Sequence, residues 1–363
     1  MEVCRVGLKE DADNSYDIFI DKGLFGNIAD ELKAKPIANA YAIITDSNVG
    51  KLYGKKLLKN LKNKNLHAHL ISFPTGEKSK TRKTKEKVED DMMRLSLRRD
   101  TCIIALGGGV VGDVAGFAAA TYMRGVPYIQ VPTTLLAMVD SSIGGKVGVD
   151  TIQAKNVIGA FYQPKRVIID LNFLKTLPKN ELANGLAEMI KHALINDVNF
   201  FHFLEKNIDK ILKYDLNILK HAIKRSYEIK ASVVIQDEKE KGLRRILNYG
   251  HTIGHAIESA LNYNISHGQA IAIGMGYAAK LSAKLGFLHE GSVVRQNNLL
   301  EYIGLPHRLS HHKLKPGKIV KFIEYDKKIV NSRLNFVLLK SIGDAFISDK
   351  VAIEDIKEIL EEG

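Results

Sequence analysis

Short apolar runs separated by helical patterns constrain the fold of this chain more than any other sequence feature. Each run spans four to six residues, is bounded by turn residues and is rich in Ile; the runs lie at positions 41–45, 69–73, 101–106, 128–131 and 166–170. Continuous apolar runs of this length are typical of strands buried on both faces of a parallel sheet. Helical patterns at 78–97 and 112–122 alternate with them. We therefore predict an α/β lobe with a mostly parallel, doubly wound sheet.

The pattern changes beyond about residue 175. Between residues 179 and 304, stretches with a period of 3.6 follow one another with few strand signals. We predict an α/β domain over residues 1–175 and an all-helical domain over residues 176–363, apart from a small hairpin at 335–340 and 345–348 and a terminal helix from Ile353. A chain of 363 residues with 45% hydrophobic content is long enough to bury two such cores.

The formal net charge of +12 favours an anionic small-molecule substrate. The lysines are concentrated at 51–64, 78–87, 206–224 and 313–328 on helix-like patterns, and arginines do not alternate with aromatic residues. Such lysines are typical of solvated helix surfaces, so we expect no nucleic-acid binding. The alternative is a nonenzymatic protein that binds DNA or RNA in a salt-sensitive way and needs no metal.

Cysteine usage and the absence of long apolar segments indicate a cytoplasmic protein. The only cysteines, Cys4 and Cys102, lie in separate predicted strands, so neither a disulfide framework nor a cysteine zinc site is expected. The first ten residues lack an apolar core of signal-peptide length, and the apolar run 270–279 is too short to span a bilayer. Any metal ion would need His and carboxylate ligands.

A glycine-rich turn follows the predicted strand at 101–106 and opens a helix, with the sequence LGGGVVGD at 106–113. Glycines let a backbone approach a pyrophosphate, and a helix N-terminus supplies free amides. The standard dinucleotide fingerprint also needs an acidic residue about twenty positions later, which this chain lacks. A phosphate site remains the prediction, and a tight turn without a ligand is the alternative. Asp46, Glu77 and Lys80 follow the ends of strands, where they either hold ribose hydroxyls or lie in exposed loops.

Small hydroxyl residues and glycine pairs surround two lysines further along the chain. PTT occupies 132–134, DSSIGGKVGVD occupies 140–150, and Lys155 is followed by Asn156. This composition suits a backbone close to a polar ligand, with Lys146 and Lys155 as point charges for anions. A hairpin with exposed lysines is the alternative. Arg124 either reaches a phosphate or lies on the surface.

One glutamate and several histidines recur at metal-ligand spacing in the second half. Glu188 and Lys191 share a helix face, as do His251 and His255. One carboxylate and two imidazoles leave an open coordination position, as a catalytic metal ion requires. His192, His251, His255 and His267 compete for the two imidazole positions. The residues between His251 and His255 are Thr-Ile-Gly, so the glutamate of a metallopeptidase helix is missing and peptidase chemistry is disfavoured.

Together, these motifs resemble the 3-dehydroquinate synthase family of sugar-phosphate cyclases. The resemblance extends over nearly the whole chain, as far as residues 326–328. It is carried by GGGVVGD at 107–113, PTT at 132–134, DSSIGGK at 140–146, KN at 155–156, NGLAEMIKH at 184–192, LRRILNYGHTIGHAIE at 243–258 and HGQAIAIGM at 267–275. Tyr249 stands where the family usually has Phe, and Gln269 stands where it commonly has Glu.

The resemblance implies three sets of ligand contacts. Zn2+ or Co2+ would be held by Glu188, His251 and His267. NAD would contact Asp46, Thr75, Gly76, Glu77, Lys78, Ser79, Lys80, Gly109, Val110, Val111, Gly112, Asp113, Thr133, Thr134, Lys146, Lys155, Phe173, Leu174, Lys175 and Thr176. The substrate or the reacting groups would contact Asp140, Lys146, Asn156, Lys191, Lys230, Arg244, Asn248 and His255, with Arg124 crossing from the partner subunit of a homodimer and Lys327 or Lys328 as a further anion contact.

The implied reaction converts 3-deoxy-D-arabino-heptulosonate 7-phosphate into 3-dehydroquinate and phosphate in the shikimate pathway. Transient oxidation of a secondary alcohol by NAD makes the neighbouring proton acidic, phosphate is eliminated, hydride returns, and an aldol step closes the ring. The alternatives are another sugar-phosphate cyclase and a metal-dependent polyol dehydrogenase of the same fold. Lys155, Lys230, Arg244 and Asn248 resemble the synthase pattern. A simple dehydrogenase has no need for so many cations.

Overall fold

The computed structural model describes residues 14–151, 155–309, 314–325, 329–330 and 333–362. The strands are β1 (Asp17–Asp21), β2 (Ala40–Asp46), β3 (His67–Phe73), β4 (Thr101–Gly107), β5 (Tyr128–Pro132), β6 (Lys146–Val149), β7 (Ile158–Phe161), β8 (Arg166–Asp170), β9 (Ile329–Val330), β10 (Arg333–Leu334), β11 (Phe336–Ser341) and β12 (Asp344–Ser348). The helices are α1 (Leu24–Ala34), α2 (Ser47–Val49), α3 (Lys55–Asn63), α4 (Arg82–Arg94), α5 (Gly109–Thr121), α6 (Lys179–Asn196), α7 (Val198–Leu212), α8 (Leu216–Gln236), α9 (His251–Ala260), α10 (His267–Lys284), α11 (Glu290–Tyr302), α12 (Pro316–Tyr325) and α13 (Ile353–Glu361). Short 3-10 turns occupy Glu77–Ser79, Tyr122–Arg124, Leu171–Thr176 and Leu243–Asn248, and π-helical turns occupy Gly50–Gly54 and Ala137–Ser141.

Six parallel strands form the main sheet in the order β1-β8-β5-β4-β2-β3. The chain runs outward from β2 to β3 and then returns to β4 on the other side of β2. A reversal of this kind opens a crevice at the carboxyl ends of the two strands, which is where open α/β sheets bind ligands. The predicted doubly wound sheet is confirmed, and its reversal point lies between β2 and β4.

The predicted strands are all present, but two helices begin at residues other than those predicted. The helix predicted at 78–97 begins at Arg82, because Thr81 Oγ1 accepts a hydrogen bond from the Thr84 amide at 3.2 Å. The helix predicted from residue 112 begins three residues earlier, at Gly109. Sequence analysis missed β1, whose residues alternate between exposed and half-buried because it is an edge strand.

Two apolar clusters pack the opposite faces of the sheet. One joins α4 and α5 to a single sheet face. The other joins α1 and α3 to the opposite face and continues through α6 and α10 into the hairpin β11–β12. The helical part, the hairpin and the terminal helix α13 are therefore as predicted. Because this second core contains residues from both sides of residue 175, the domain limit at that residue stays a prediction.

Glycines bring α9 and α10 into close contact. A Cβ at Gly254 would lie 3.0 Å from the Ala270 carbonyl oxygen, and a Cβ at Gly274 would overlap the Gly250 carbonyl. Gly250, which precedes α9, has a φ of 76° in the left-handed region. This close packing brings the first residues of both helices, His251 and His267, to the same place. Among the described helices, none is long and apolar enough to cross a membrane.

Candidate active site

A cleft of about 1760 Å3 lies between the carboxyl ends of the sheet strands and the helical part of the chain. The loops after β2, β3, β4, β5 and β8 line one side, and residues of α6, α8, α9 and α10 line the other. Most of the predicted site residues meet here: Asp46, Thr75, Gly76, Glu77, Lys80, Gly109, Val110, Val111, Asp113, Thr133, Thr134, Asp140, Lys146, Lys155, Asn156, Phe173, Thr176, Lys191, Lys230, Arg244, Asn248, His251, His255 and His267.

The glycine-rich turn forms the floor of the cleft between β4 and α5. Gly108 precedes α5, and no side chain in the described part of the chain caps this helix N-terminus. A Cβ at Gly108 would lie 3.1 Å from Thr134 Cγ2, and a Cβ at Gly109 would lie 3.1 Å from Ser141 Oγ. Because Gly108 and Gly109 carry no side chains of their own, the backbone at the start of α5 borders the cleft directly, as a phosphate site requires.

An acidic side chain near this turn comes from an earlier strand. Asp46 ends β2, which pairs with β4, and the Asp46 side chain lines the cleft. Its Oδ1 atom accepts hydrogen bonds from the amides of Asn48 at 2.8 Å and Val49 at 3.0 Å. Because β2 precedes β4 in the chain and pairs with it in the sheet, the acidic side chain at this edge of the cleft comes from before the glycines and not from after them.

A network of charged side chains forms the lip of the cleft beside the turn. Lys80 Nζ lies 2.5 Å from Asp113 Oδ2 and also contacts Asn156 Oδ1. Lys155 Nζ lies 3.0 Å from Glu77 Oε1. Burial would lower the pKa of Lys80, but Asp113 and Glu77 outweigh burial and raise the pKa. Both lysines therefore face the cleft as cations.

Glu188, His251 and His267 converge at the other end of the cleft. Glu188 lies on α6 and is fully buried, and its Oε1 atom lies 3.4 Å from His251 Nε2 and 3.2 Å from His267 Nε2. Its Oε2 atom is 2.5 Å from Lys191 Nζ. Burial would raise the pKa of Glu188, but Lys191 and His251 hold that pKa well below its ordinary value. Glu188 is therefore a carboxylate with two imidazoles around one oxygen.

Each of these two histidines is oriented through its other ring nitrogen. His251 Nδ1 donates to the Tyr249 carbonyl at 3.1 Å, and His267 Nδ1 donates to Glu258 Oε1 at 3.3 Å. Burial lowers the pKa of His251 to about 3, so His251 is neutral and its Nε2 lone pair faces Glu188. Burial would also lower the pKa of His267, but hydrogen bonds to Glu188 and Glu258 raise it to about 10.

The other two candidate histidines occupy different environments. His192 is buried with Nδ1 2.8 Å from Ser226 Oγ and Nε2 3.5 Å from Asp140 Oδ1, and burial lowers its pKa to about 4. His255 lies one turn after His251, with the two ring centroids 5.1 Å apart. His255 also lies within reach of Glu258 and His267. The structure thus places His251 and His267 around Glu188 Oε1. His192 also comes within 4.8 Å of Glu188, together with Asp140, but its Nδ1 atom is paired with Ser226.

Cationic side chains surround the middle of the cleft. Lys230 Nζ donates to Asp140 Oδ1, Lys146 pairs with Glu240, and Asn248 Nδ2 donates to Glu240 Oε1 at 2.8 Å. Arg244 donates from one guanidinium nitrogen to the Gly144 carbonyl at 3.0 Å and from another to the Glu238 carbonyl. These groups suit a ligand that carries more than one negative charge.

Some predicted residues do not line the cleft. Glu188 is fully buried and does not reach the cleft surface. The other residues outside the cleft lining are Lys78, Ser79, Gly112, Leu174, Lys175 and Arg124. Gly112 instead packs against β5, where a Cβ would lie 2.7 Å from Gln130 Oε1. Arg124 is exposed, with φ of 67° in the turn after α5. Lys327 and Lys328 lie outside the described residues.

Sequence analysis missed three polar residues of this region. Asn184 Oδ1 accepts from the Gly268 amide, Glu240 bridges Lys146 and Asn248, and Glu258 contacts His267 and Lys155. Glu258 lies seven positions after His251, so helical periodicity places both residues on the same face of α9. This spacing could have identified Glu258 from the sequence alone. Glu240 lies in an irregular segment, where no such spacing rule applies.

Two family models match most of the chain. The family models described as 3-dehydroquinate synthase N-terminal and C-terminal match residues 70–184 and 185–329. The 3-dehydroquinate synthase of Desulforamulus reducens is 46% identical over 347 residues, which cover 95% of this chain and 96% of that protein.

Two solved structures of related cyclases share the fold over nearly their whole length. The 2-epi-5-epi-valiolone synthase of Streptomyces hygroscopicus, with NAD+ and Zn2+ bound, has a TM-score of 0.90 at 29% identity and covers 99% of each chain. A 2-deoxy-scyllo-inosose synthase complexed with carbaglucose-6-phosphate, NAD+ and Co2+ has a TM-score of 0.85 at 31% identity, covering 95% of this chain and 96% of that chain. With both family models matched and curated relatives this similar over their full length, the chain belongs to the 3-dehydroquinate synthase family.

Proposed function

We propose that this chain is a phosphate-eliminating lyase that converts 3-deoxy-D-arabino-heptulosonate 7-phosphate into 3-dehydroquinate and phosphate, and that it requires NAD and a divalent metal ion. The observation that carries this proposal is the presence of three sites in one cleft. The glycine turn, the group of Glu188, His251 and His267, and a set of cationic side chains all line or adjoin the same cavity. A simple alcohol dehydrogenase needs the first two sites but not the third.

The donor set fits Zn2+ or Co2+. The three candidate ligand atoms lie within 4.8 Å of one another, and in both histidines Nδ1 is already donating, so Nε2 is the nitrogen that would bind a metal ion. For His267 this requires loss of the Nε2 proton, which otherwise points at Glu188. The Nε2 lone pair of neutral His251 faces a carboxylate oxygen at 3.4 Å, an arrangement that a cation shared by the two acceptors would stabilise. Three protein ligands would leave a position open for substrate. The related cyclases with Zn2+ and Co2+ support the same choice of metal.

The first part of the cleft fits a dinucleotide. The uncapped start of α5 supplies amides for a pyrophosphate, Asp46 lies beside it at the end of β2, and Lys80 and Lys155 add positive charge at the lip. When bound, the metal ion supplies Lewis-acid activation of a substrate hydroxyl, and NAD supplies a reversible hydride acceptor.

The residues of the chain orient the substrate and handle its protons. Lys146, Lys230 and Arg244 face the cleft and would neutralise a carboxylate and a phosphate. Asn156 and Asn248 offer hydrogen bonds to hydroxyl groups, and both line the same cavity. His255, one turn from His251, is placed to exchange a proton with a hydroxyl held at the metal site. Holding the open-chain substrate between these groups also favours ring closure.

The decisive experiment measures phosphate release from 3-deoxy-D-arabino-heptulosonate 7-phosphate by purified protein. We expect release to require both NAD and metal, to stop on chelation, and to leave no net NADH. Steady accumulation of NADH with a simple polyol would instead assign the chain to a dehydrogenase, and release only from another sugar phosphate would assign it to a related cyclase.

We also propose that the protein works as a homodimer in the cytoplasm. The exposed position of Arg124 supports the homodimer, because this residue is outside the cleft of its own chain and available to a partner subunit. The low cysteine content, with Cys102 a buried free thiol, suits a reducing compartment. Sedimentation equilibrium tests the assembly. Mixing Arg124→Ala protein with Lys230→Ala protein tests the role of Arg124, because mixed dimers would regain one intact site if the arginine acts across the interface.

A further inference from the structure

Glu258 is a buried acid that the proposed function does not use. It lies near the end of α9, two helical turns after His251, and only 1% of its surface is exposed. Buried carboxylates are costly unless they are paired, so the partners of this side chain indicate its purpose.

The partners of Glu258 belong to two different sites. Its Oε1 atom accepts from His267 Nδ1 at 3.3 Å and from Lys155 Nζ at 3.1 Å. Lys155 is also 3.0 Å from Glu77 at the nucleotide end of the cleft. His267 in turn approaches Glu188 through Nε2 at 3.2 Å. One carboxylate therefore connects a candidate metal ligand to a lysine of the nucleotide lip.

The contact with His267 has a chemical consequence. A carboxylate can only accept, so the His267 Nδ1 atom carries the proton in this contact and Nε2 is the atom left for a metal ion. A carboxylate in this position also makes the imidazole a more basic ligand and fixes the orientation of its ring. If Glu258 served only as a counterion for Lys155, metal affinity would not depend on it.

We propose that Glu258 is a positioning residue for the metal site, which holds His267 through Nδ1 and is itself held in place by Lys155. The proposal rests on the proposed function, because it assumes that His267 binds metal. In this role Glu258 acts through His267 and is not itself a ligand of the metal ion, although His255, Glu258 and His267 also lie within 4.8 Å of one another. Its effect is therefore on how strongly, and in what geometry, the metal ion is bound.

The test compares zinc affinity and cobalt spectra of three variants. Glu258→Gln keeps the shape and one acceptor but removes the charge, and Glu258→Ala removes the contact. Glu205→Gln is the matched control, because Glu205 also pairs with a cation, Arg295, at 2.5 Å but does not line the cleft. Competition with a chromophoric chelator would give the zinc affinity of each metal-free protein, and visible absorption of the Co2+ form would report ligand geometry.

We expect zinc affinity to fall about 10-fold in Glu258→Gln and up to about 100-fold in Glu258→Ala, the range typical of lost outer-shell partners. Glu205→Gln should stay within about 2-fold of wild type, and the Co2+ bands should shift only in the Glu258 variants. Circular dichroism of the metal-free proteins checks folding, and Glu258→Gln alone suffices if the alanine variant does not fold.

Zinc affinity of Glu258→Gln within about 2-fold of wild type, with an unchanged Co2+ spectrum, would overturn the proposal and leave Glu258 as a counterion for Lys155. The proposed function is tested separately by the wild-type protein. Wild-type protein that binds no zinc and releases no phosphate would contradict that function, whereas a zinc-binding, active wild type with an indifferent Glu258→Gln would contradict only the positioning role.

Discussion

Lys230 on α8 donates from Nζ to Asp140 Oδ1 at 2.6 Å and to the Asp140 carbonyl at 2.7 Å. Asp140 lies in the π-helical turn after β5, so this contact joins the helical part of the chain to the sheet. Lys191 is 3.9 Å from the same carboxylate oxygen. Burial would raise the pKa of Asp140, but Lys230 and Lys191 hold that pKa well below its ordinary value.

Removing this carboxylate should destabilise the protein. Asp140→Ala would leave the Lys230 and Lys191 ammonium groups buried without their shared anion, and we expect the free energy of unfolding to fall by about 3 kcal/mol. Glu205→Ala removes a half-buried ion pair with Arg295 at the protein surface and should cost roughly 0–1 kcal/mol. Urea unfolding of both variants measures the difference. Equal, small losses in the free energy of unfolding of the two variants would contradict a stabilising role for the Asp140 carboxylate.

Two histidines one helical turn apart should respond differently to substitution. His251→Ala should lose stoichiometric metal after dialysis, because His251 Nε2 is one of the atoms around Glu188 Oε1. His255→Ala should keep its metal but lose about 100-fold or more in turnover, as expected for a lost proton-transfer group. Metal analysis and phosphate release are measured on the same samples. A metal-free His255→Ala protein would make His255 a ligand.

Gly144 should be needed for the position of Arg244. Its φ of +91° disfavours any side chain, and a Cβ there would overlap the Arg244 guanidinium. We expect Gly144→Ala to lower kcat/KM by about 100-fold while the protein stays folded. Gly286→Ala is the matched control, because Gly286 has φ of +77° with nothing within 4 Å of its Cβ.

The control substitution Gly286→Ala should cost about 1 kcal/mol of stability and leave kcat/KM unchanged. If both glycine variants were equally active, the contact between Gly144 and Arg244 would not matter for substrate binding.

The turn before Arg244 should depend on pH through Asp237. Its carboxylate accepts from the amides of Gly242 at 2.7 Å, Lys241 at 2.9 Å and Arg244 at 3.0 Å. The Gly242 and Lys241 hydrogen bonds lower the pKa of Asp237 below its ordinary value of 3.8. The stabilisation by the ionised carboxylate is therefore fully present above that value and is lost as the pH falls through the lower folded-state pKa.

Asp237→Asn would lack this stabilisation, so its stability difference from wild type should be greatest near neutral pH and should shrink below about pH 4. Unfolding by urea from pH 3 to pH 7 measures the difference, and substrate KM should rise at neutral pH because the turn places Arg244. A stability difference that grows toward acid pH would contradict the role assigned to the carboxylate.

The sequence allowed the strands, the helical region and most residues of the candidate cleft to be predicted, because each depends on local pattern. Buried strands such as β2 and β4 are continuous apolar runs. His251 and His255 are four residues apart and therefore share one face of a helix. The edge strand β1 was not predicted because its apolar run, Ile18–Ile20, is only three residues long and lies between two aspartates.

Other features depend on strand order or on tertiary packing, which a single sequence does not encode locally. The dinucleotide fingerprint places an acidic residue after the glycine turn, whereas in this fold β2 brings Asp46 to the cleft from earlier in the chain. Residue spacing alone also left four histidines as candidates for the two imidazole positions of the metal site. The packing of α9 on α10 brings His251 and His267 together at Glu188 Oε1, whereas His192 Nδ1 lies 2.8 Å from Ser226 Oγ.

Helix α6 runs from Lys179 to Asn196 and is buried over most of its length, whereas the two family models meet between residues 184 and 185. A gene divided at that junction would separate the first turns of this helix from Glu188. Each polypeptide would then expose apolar surface that the other normally covers. The two products should therefore recover a zinc site only when they are co-expressed, which makes this junction unsuitable for domain shuffling between cyclases.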